Sequence, residues 1–142
     1  MAMSSQVEWN ALCKKRHVPD GYATLTEREK VWINVRALID STNNGGLISF
    51  FYNSYADTLE DSLRALDLLR AGDVRLQVER VGALFGDCVP SDVHSRNKII
   101  NSWPDDPRRE ALLNRVDAYL YSRFSDLEHR LSKFLALTGL AT

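Results

Sequence analysis

The chain is predicted to be all-α, a single compact domain of six to seven helices around a central buried helix. Apolar residues recur at helical spacing along nearly its whole length, and no stretch shows the period-two alternation of a half-buried strand. Short breaks rich in Gly, Pro and Asn divide the periodic stretches. With 142 residues the chain has the size of one domain, and no long linker or internal repeat sets off a second within 1–142.

The first helix is predicted over Gln6–His17, with Val7, Trp9 and Leu12 facing inward and residues 1–5 disordered ahead of it. Pro19-Asp20-Gly21 ends it with turn chemistry. Thr26 and Glu29 then match a capping box, in which each side chain bonds the other residue's backbone N–H, and Leu25, Trp32, Val35, Leu38 and Ile39 form the stripe of the second helix. That helix stops at Asn43-Asn44-Gly45-Gly46, where glycine accepts positive φ and asparagine bonds the open groups of helix ends. Leu47–Asn53 is apolar nearly all round, the mark of a short helix at the centre of the core, with Asn53 as a buried amide tying down the turn.

Asp57 or Thr58 is expected to cap the next helix, striped by Leu59, Leu63, Leu66 and Leu69, and Gly72 to supply its left-handed stop. Asp73 is expected to cap a partner helix in which Val74, Val78, Val81 and Phe85 repeat until Gly86, so that Leu59–Phe85 forms an antiparallel hairpin. After the loop Asp87–Pro90, Ser91 is the expected cap of a helix carrying Val93, Ile99 and Ile100. Pro107 following Asp106 suits a helix start. From Leu112 to Leu135 the apolar period continues, as one long helix or as two parted near Ser122–Ser125.

Composition excludes several classes of function. Eighteen basic against nineteen acidic side chains leave a formal net charge of -1, which argues against sequence-independent binding to nucleic acid or an anionic membrane. The longest apolar stretch, Gly45–Tyr52, is far shorter than the ~20 residues of a membrane helix, and the start has no apolar signal region, so a cytoplasmic protein is expected. Cys13 and Cys88 form no CxxC and suit reduced thiols. His17, His94 and His129 share no ligand spacing, so neither a metal site nor a cofactor is expected. Gly45-Gly46 lacks the GxGxxG and GxxxxGK[ST] patterns of nucleotide loops.

Two local arrangements remain as alternatives. Cys88 and His94 bracket a polar loop and supply the elements of a nucleophile and a base, the basis for reading the chain as a small hydrolase. A helix-turn-helix with Ser91–Asn101 as reader would place Arg96 and Lys98 on DNA, with Arg108 and Arg109 nearby, although its loop is too long and Asp87 and Asp92 would face phosphates. Charge is also uneven, since residues 37–73 hold Asp40, Asp57, Glu60, Asp61, Asp67 and Asp73 against Arg64 and Arg70. Asp57, Glu60, Asp61 and Asp67 fall on or near one helix and are the candidate partner-binding residues. The competing account is a solvated helix face whose early acids suit the macrodipole.

The run Asn43-Asn44-Gly45-Gly46-Leu47, then Phe50-Phe51 and Asn53, stands after a capped helix opening with Leu25-Thr26, and Phe85-Gly86 ends the hairpin. Pro90, Arg96, Asp117, Tyr119 and Tyr121 follow at matching places. Over about Thr24–Leu135 the chain resembles a family of small bacterial proteins named after a DNA mimic protein. The family often carries Phe and Gln where this chain has Leu47 and Ser49. The resemblance implies an all-helical domain that forms homodimers and binds protein rather than nucleic acid. The expected function is therefore non-enzymatic protein binding, inhibitory or DNA-mimic-like, acting on a DNA-binding regulator or a nuclease.

Overall fold

The computed structural model describes residues 2–139. Seven helices, with no strand among the described residues, form a single all-α domain. They are α1 (Ala2–His17), α2 (Glu27–Gly45), α3 (Leu47–Phe51), α4 (Leu59–Leu68), α5 (Gly72–Gly82), α6 (Val93–Ser102) and α7 (Pro107–Gly139). Short 3-10 turns lie at Tyr22–Thr24, Ser54–Thr58 and Ala83–Phe85. Of residues 1–5, expected to be disordered, Met1 lies outside the described residues and the backbone of 2–5 continues α1.

The short apolar segment is the central helix. Leu47, Phe50 and Phe51 of α3 are fully buried, enclosed by the inner faces of α2, α5 and α7. The segment is too short to be stable alone, so packing rather than propensity holds it helical. Phe51 continues into a line of tilted aromatic pairs, Phe51–Phe85 and Phe85–Trp103, with ring centroids 5.4 and 5.5 Å apart. Each such pair adds about 0.5–1.5 kcal/mol beyond area burial. A smaller cluster of Leu12, Leu25 and Ile33 joins α1 to α2, with Trp9 against Trp32 at its edge.

The capping box forms as read: Thr26 Oγ1 accepts from Glu29 N at 3.1 Å, and Glu29 Oε1 accepts from Thr26 N at 2.9 Å. Asp106 likewise caps α7, accepting from Arg108 N at 2.9 Å. That last helix runs unbroken for 33 residues, which decides against the break near Ser122–Ser125.

Other expectations are corrected. Val7 is 66% exposed, because α1 has no apolar stripe to turn inward beyond Trp9 and Leu12. The central helix ends at Phe51, and Asn53 is an exposed cap of the following 3-10 turn, accepting from Tyr55 N at 3.1 Å, rather than a buried amide. Thr58 stands at the N-cap position of α4 but makes no side-chain capping bond, because its hydroxyl is drawn to Asn34, and the Asp57 carboxylate is drawn to Arg96. The left-handed residue after α4 is Arg70, φ 56°, not Gly72, which already belongs to α5. Ala71 N donates to Leu66 O at 2.8 Å and Arg70 N to Asp67 O at 2.9 Å, the paired bonds of a Schellman stop. With the turn completed there, Ala71 becomes the N-cap of α5 and Asp73 falls inside its first turn. Asp92, not Ser91, caps α6, accepting from Ser95 N at 2.9 Å.

Candidate functional site

The site is built outward from a buried cation. Arg96 on α6 is fully buried, and its guanidinium donates to Phe51 O (2.8 Å), Asn53 O (2.9 Å), Pro90 O (2.9 Å) and Asp57 Oδ1 (2.6 Å). Three carbonyls and one carboxylate thus satisfy a charge that would otherwise be costly to withdraw from water. Arg96 joins the end of α3, the 3-10 turn at Ser54–Thr58 and the loop before α6.

A second polar group fixes the start of α4. Asn34, buried on α2, donates from Nδ2 to Tyr22 Oη (2.9 Å) and Lys30 O (2.8 Å). Its Oδ1 accepts from Thr58 Oγ1 (2.7 Å) and Ser62 Oγ (3.1 Å). Tyr22 Oη in turn donates to Asp61 Oδ2 at 2.5 Å. Burial, together with that bond to Asp61, pushes the Tyr22 phenol up to about 12. The network is closed, and it fastens the first turn of α4 to α2.

Between these anchors lies a cleft of about 630 Å³, bounded by residues 56–63, by the end of α5 and by the loop 86–91. The start of α4 facing the end of α5 is the consequence of the antiparallel hairpin. Leu59, Leu63, Val78, Gly82 and Val89 supply apolar lining. The charged lining residues are Asp57, Glu60, Asp61, Glu79 and Asp87, with no Lys or Arg among them.

The structure brings three of the four candidate acids, Asp57, Glu60 and Asp61, to this cleft. Asp67 lies further along α4 and pairs with Arg75. Asp57 pairs with Arg96, and Asp61 with Arg64 at 2.5 Å. Glu60 has no ion-pair partner among the described residues, and the same holds for Asp87. Glu79 faces Arg75 at 3.5 Å. Glu79 and Asp87 are not among the candidate acids that the sequence offers, because tertiary packing, not helix spacing, sets them on the same cleft as Glu60.

The alternative sites are not assembled. Cys88 lines the cleft, whereas His94 stands exposed on α6 outside it, and no hydrogen bond joins them. Arg96 is the wrong side chain for a DNA contact, being committed to the interior; only Lys98 of that pair is exposed. Among the described residues no group of three or more His, Cys, Asp or Glu is placed to hold a metal ion, and no helix is long and apolar enough to cross a membrane.

The Asn-Gly turn has a structural account. Gly46 has φ 83°, and Leu47 N donates to Asp117 Oδ1 at 2.9 Å. Tyr121 of α7 donates to Thr42 O at 3.0 Å. A Cβ on Gly46 would lie 2.5 Å from Asp117 Oδ2, so backbone conformation and the close approach of α7 both call for glycine there. Asn43 and Asn44 are exposed at the end of α2 beside a shallow depression. Gly45 is helical and abuts the Ser49 hydroxyl, so positive φ is confined to Gly46.

These features define a small all-helical domain with an acid-lined cleft beside a buried arginine, and with a glycine turn clamped by the last helix. The chain belongs to the DMP19-like protein family, whose model matches residues 23–137. Neither the curated proteins nor the solved structures compared with the chain gave a match.

Proposed function

We propose that the protein is a non-enzymatic binding domain that presents acidic side chains to a basic protein surface, in the manner of a DNA mimic acting on a DNA-binding regulator or nuclease. The observation that carries this is the convergence of Asp57, Glu60, Asp61, Glu79 and Asp87 on one cleft without a lining base, in a chain of near-zero net charge. Membership of the DMP19-like family supports the protein-binding role. The same reading places the protein in the bacterial cytoplasm as a homodimer. Local complementarity of this kind directs association and selects partners even when the whole molecule is nearly neutral.

The experiment immobilises the wild-type protein and a Glu60→Lys/Asp87→Lys variant, captures proteins from native cells, and measures DNA binding by each captured protein. The expected partner is retained by the wild type alone and releases its DNA when free wild-type protein is added. Equal capture by both proteins, or a DNA complex indifferent to the addition, overturns the reading.

A further inference from the structure

We infer that the α4–α5 cleft seats a basic amphipathic helix of the partner, an inference that rests on the protein-binding reading above and names the element recognised. A surface that imitated phosphates alone would need free carboxylates on a polar ground. Here the ground is apolar: Leu63 and Val78 are buried at the cleft, with Leu59 and Val89 half-buried beside them. The cleft volume of about 630 Å³ is in the range that accommodates several apolar groups.

The charges select among occupants. Asp57 is occupied by Arg96, and Asp61 by Arg64 and Tyr22, so these two serve mainly to shape the wall. Glu60 and Asp87 remain for an incoming cation, whereas Glu79 already faces Arg75 at 3.5 Å. Nucleic acid and anionic lipid carry the same sign as this rim and are repelled. A small free cation would satisfy a carboxylate but leave the apolar lining wet. A helix with Leu-type anchors at i, i+3 and i+7 and Lys or Arg flanking them covers both, with the long basic side chains lying along the wall and their charges at the rim.

The test uses a fluorescein-labelled peptide of about 18 residues with Leu and Lys at helical spacing, and a scrambled peptide of the same composition that has no apolar face. The wild-type protein is expected to bind the amphipathic peptide about tenfold more tightly than the scrambled one by anisotropy. Glu60→Lys/Asp87→Lys is expected to weaken binding about tenfold, and Ala83→Gln, which adds bulk at an exposed lining position without charge, about fivefold. The reversal Asp105→Lys/Glu110→Lys, on exposed residues outside the cleft, is expected to stay within about twofold. Bound peptide should also slow alkylation of Cys88, which lines the cleft, and leave that of Cys13 unchanged. Circular dichroism melts confirm that each variant is folded. Equal affinity for the two peptides overturns this inference while leaving the acidic-surface reading to the capture experiment. Preference for duplex DNA, or peptide binding without protection of Cys88, also overturns it.

Discussion

Asp57 Oδ1 lies 2.6 Å from a guanidinium nitrogen of Arg96, whose side chain is 0% exposed while that of Asp57 is 38% exposed. The pair therefore has one face in the interior and one at the cleft, and the two residues respond differently to substitution. Arg96→Met removes the charge but strands three backbone carbonyls, and is expected to cost about 3–5 kcal/mol in urea unfolding. Asp57→Asn keeps an acceptor and is expected to cost about 1–2 kcal/mol. Equal, negligible losses would contradict the role of Arg96 as the joint between α3, α6 and the loop.

The double glycine separates into two distinct constraints. Gly46→Ala is expected to destabilise by about 1–3 kcal/mol, because φ stays positive whatever space is made. Asp117→Ala in the same chain should not restore it. Gly45→Ala meets only the Ser49 hydroxyl, at 2.3 Å from the added carbon, so Gly45→Ala with Ser49→Ala should regain or exceed wild-type stability by roughly 0.5–1 kcal/mol of helix propensity. Thermal melts of the four variants distinguish the two positions.

Two groups predict opposite pH limits. Burial opposes the charge on Asp73, but hydrogen bonds from Tyr119, Val74 N–H and Arg123 outweigh it and hold the carboxyl below its ordinary 3.8. A depressed folded value means that this contribution is present above 3.8 and is lost as pH falls through the folded value. Asp73→Asn should therefore flatten the acid limb of the stability curve. Tyr22, raised from 10.0 to about 12, contributes stability below pH 10 that is lost as pH rises toward 12, and Tyr22→Phe should flatten the alkaline limb. Tyr55 and Tyr119 are raised as well, so ultraviolet titration should show several late phenols, and the component lost in Tyr22→Phe identifies Tyr22 among them.

Of the apolar residues outside the main stripes that point to self-association, Ile48 packs against the core, so the expected contact falls to Tyr52 and Leu76, 44% and 48% exposed. Sedimentation equilibrium should give twice the 16.1 kDa chain mass, and Leu76→Asp should shift it toward the monomer. A monomer at high micromolar concentration would remove the dimer, since obligate interfaces bury on the order of 2,000 Å² or more.

What the sequence disclosed was local. The Thr26–Glu29 box, the apolar run at Leu47 and the Pro107 start are each written within a few residues, and each formed. The sequence points to Gly72 for the stop after α4 because glycine tolerates positive φ best, while the Schellman bonds close two residues earlier, on Arg70. Only the helix-turn-helix alternative puts Arg96 at the surface, whereas Val93, Arg96 and Ile100 share one helical stripe, a spacing that marks an inward position. Asn34 sits in the same way between Val31 and Leu38. The cleft itself had no local signature, because Glu60, Glu79 and Asp87 meet only after the hairpin closes.

The reach of α7 has a consequence for how the chain comes to be folded during synthesis. Asp117, which holds Leu47 N, lies 70 positions later, and Leu135, whose carbonyl receives Arg28, lies 107 positions later. Arg123 meets Asp73 and Arg130 meets the Leu69 and Arg70 carbonyls from the same helix. Translation from N- to C-terminus therefore delivers the whole hairpin and its central helix before the element that locks them. With elongation at about 5–20 residues per second, Phe50 and Phe51 wait seconds for the cover that α7 supplies, an interval in which apolar surface stays open on the nascent chain.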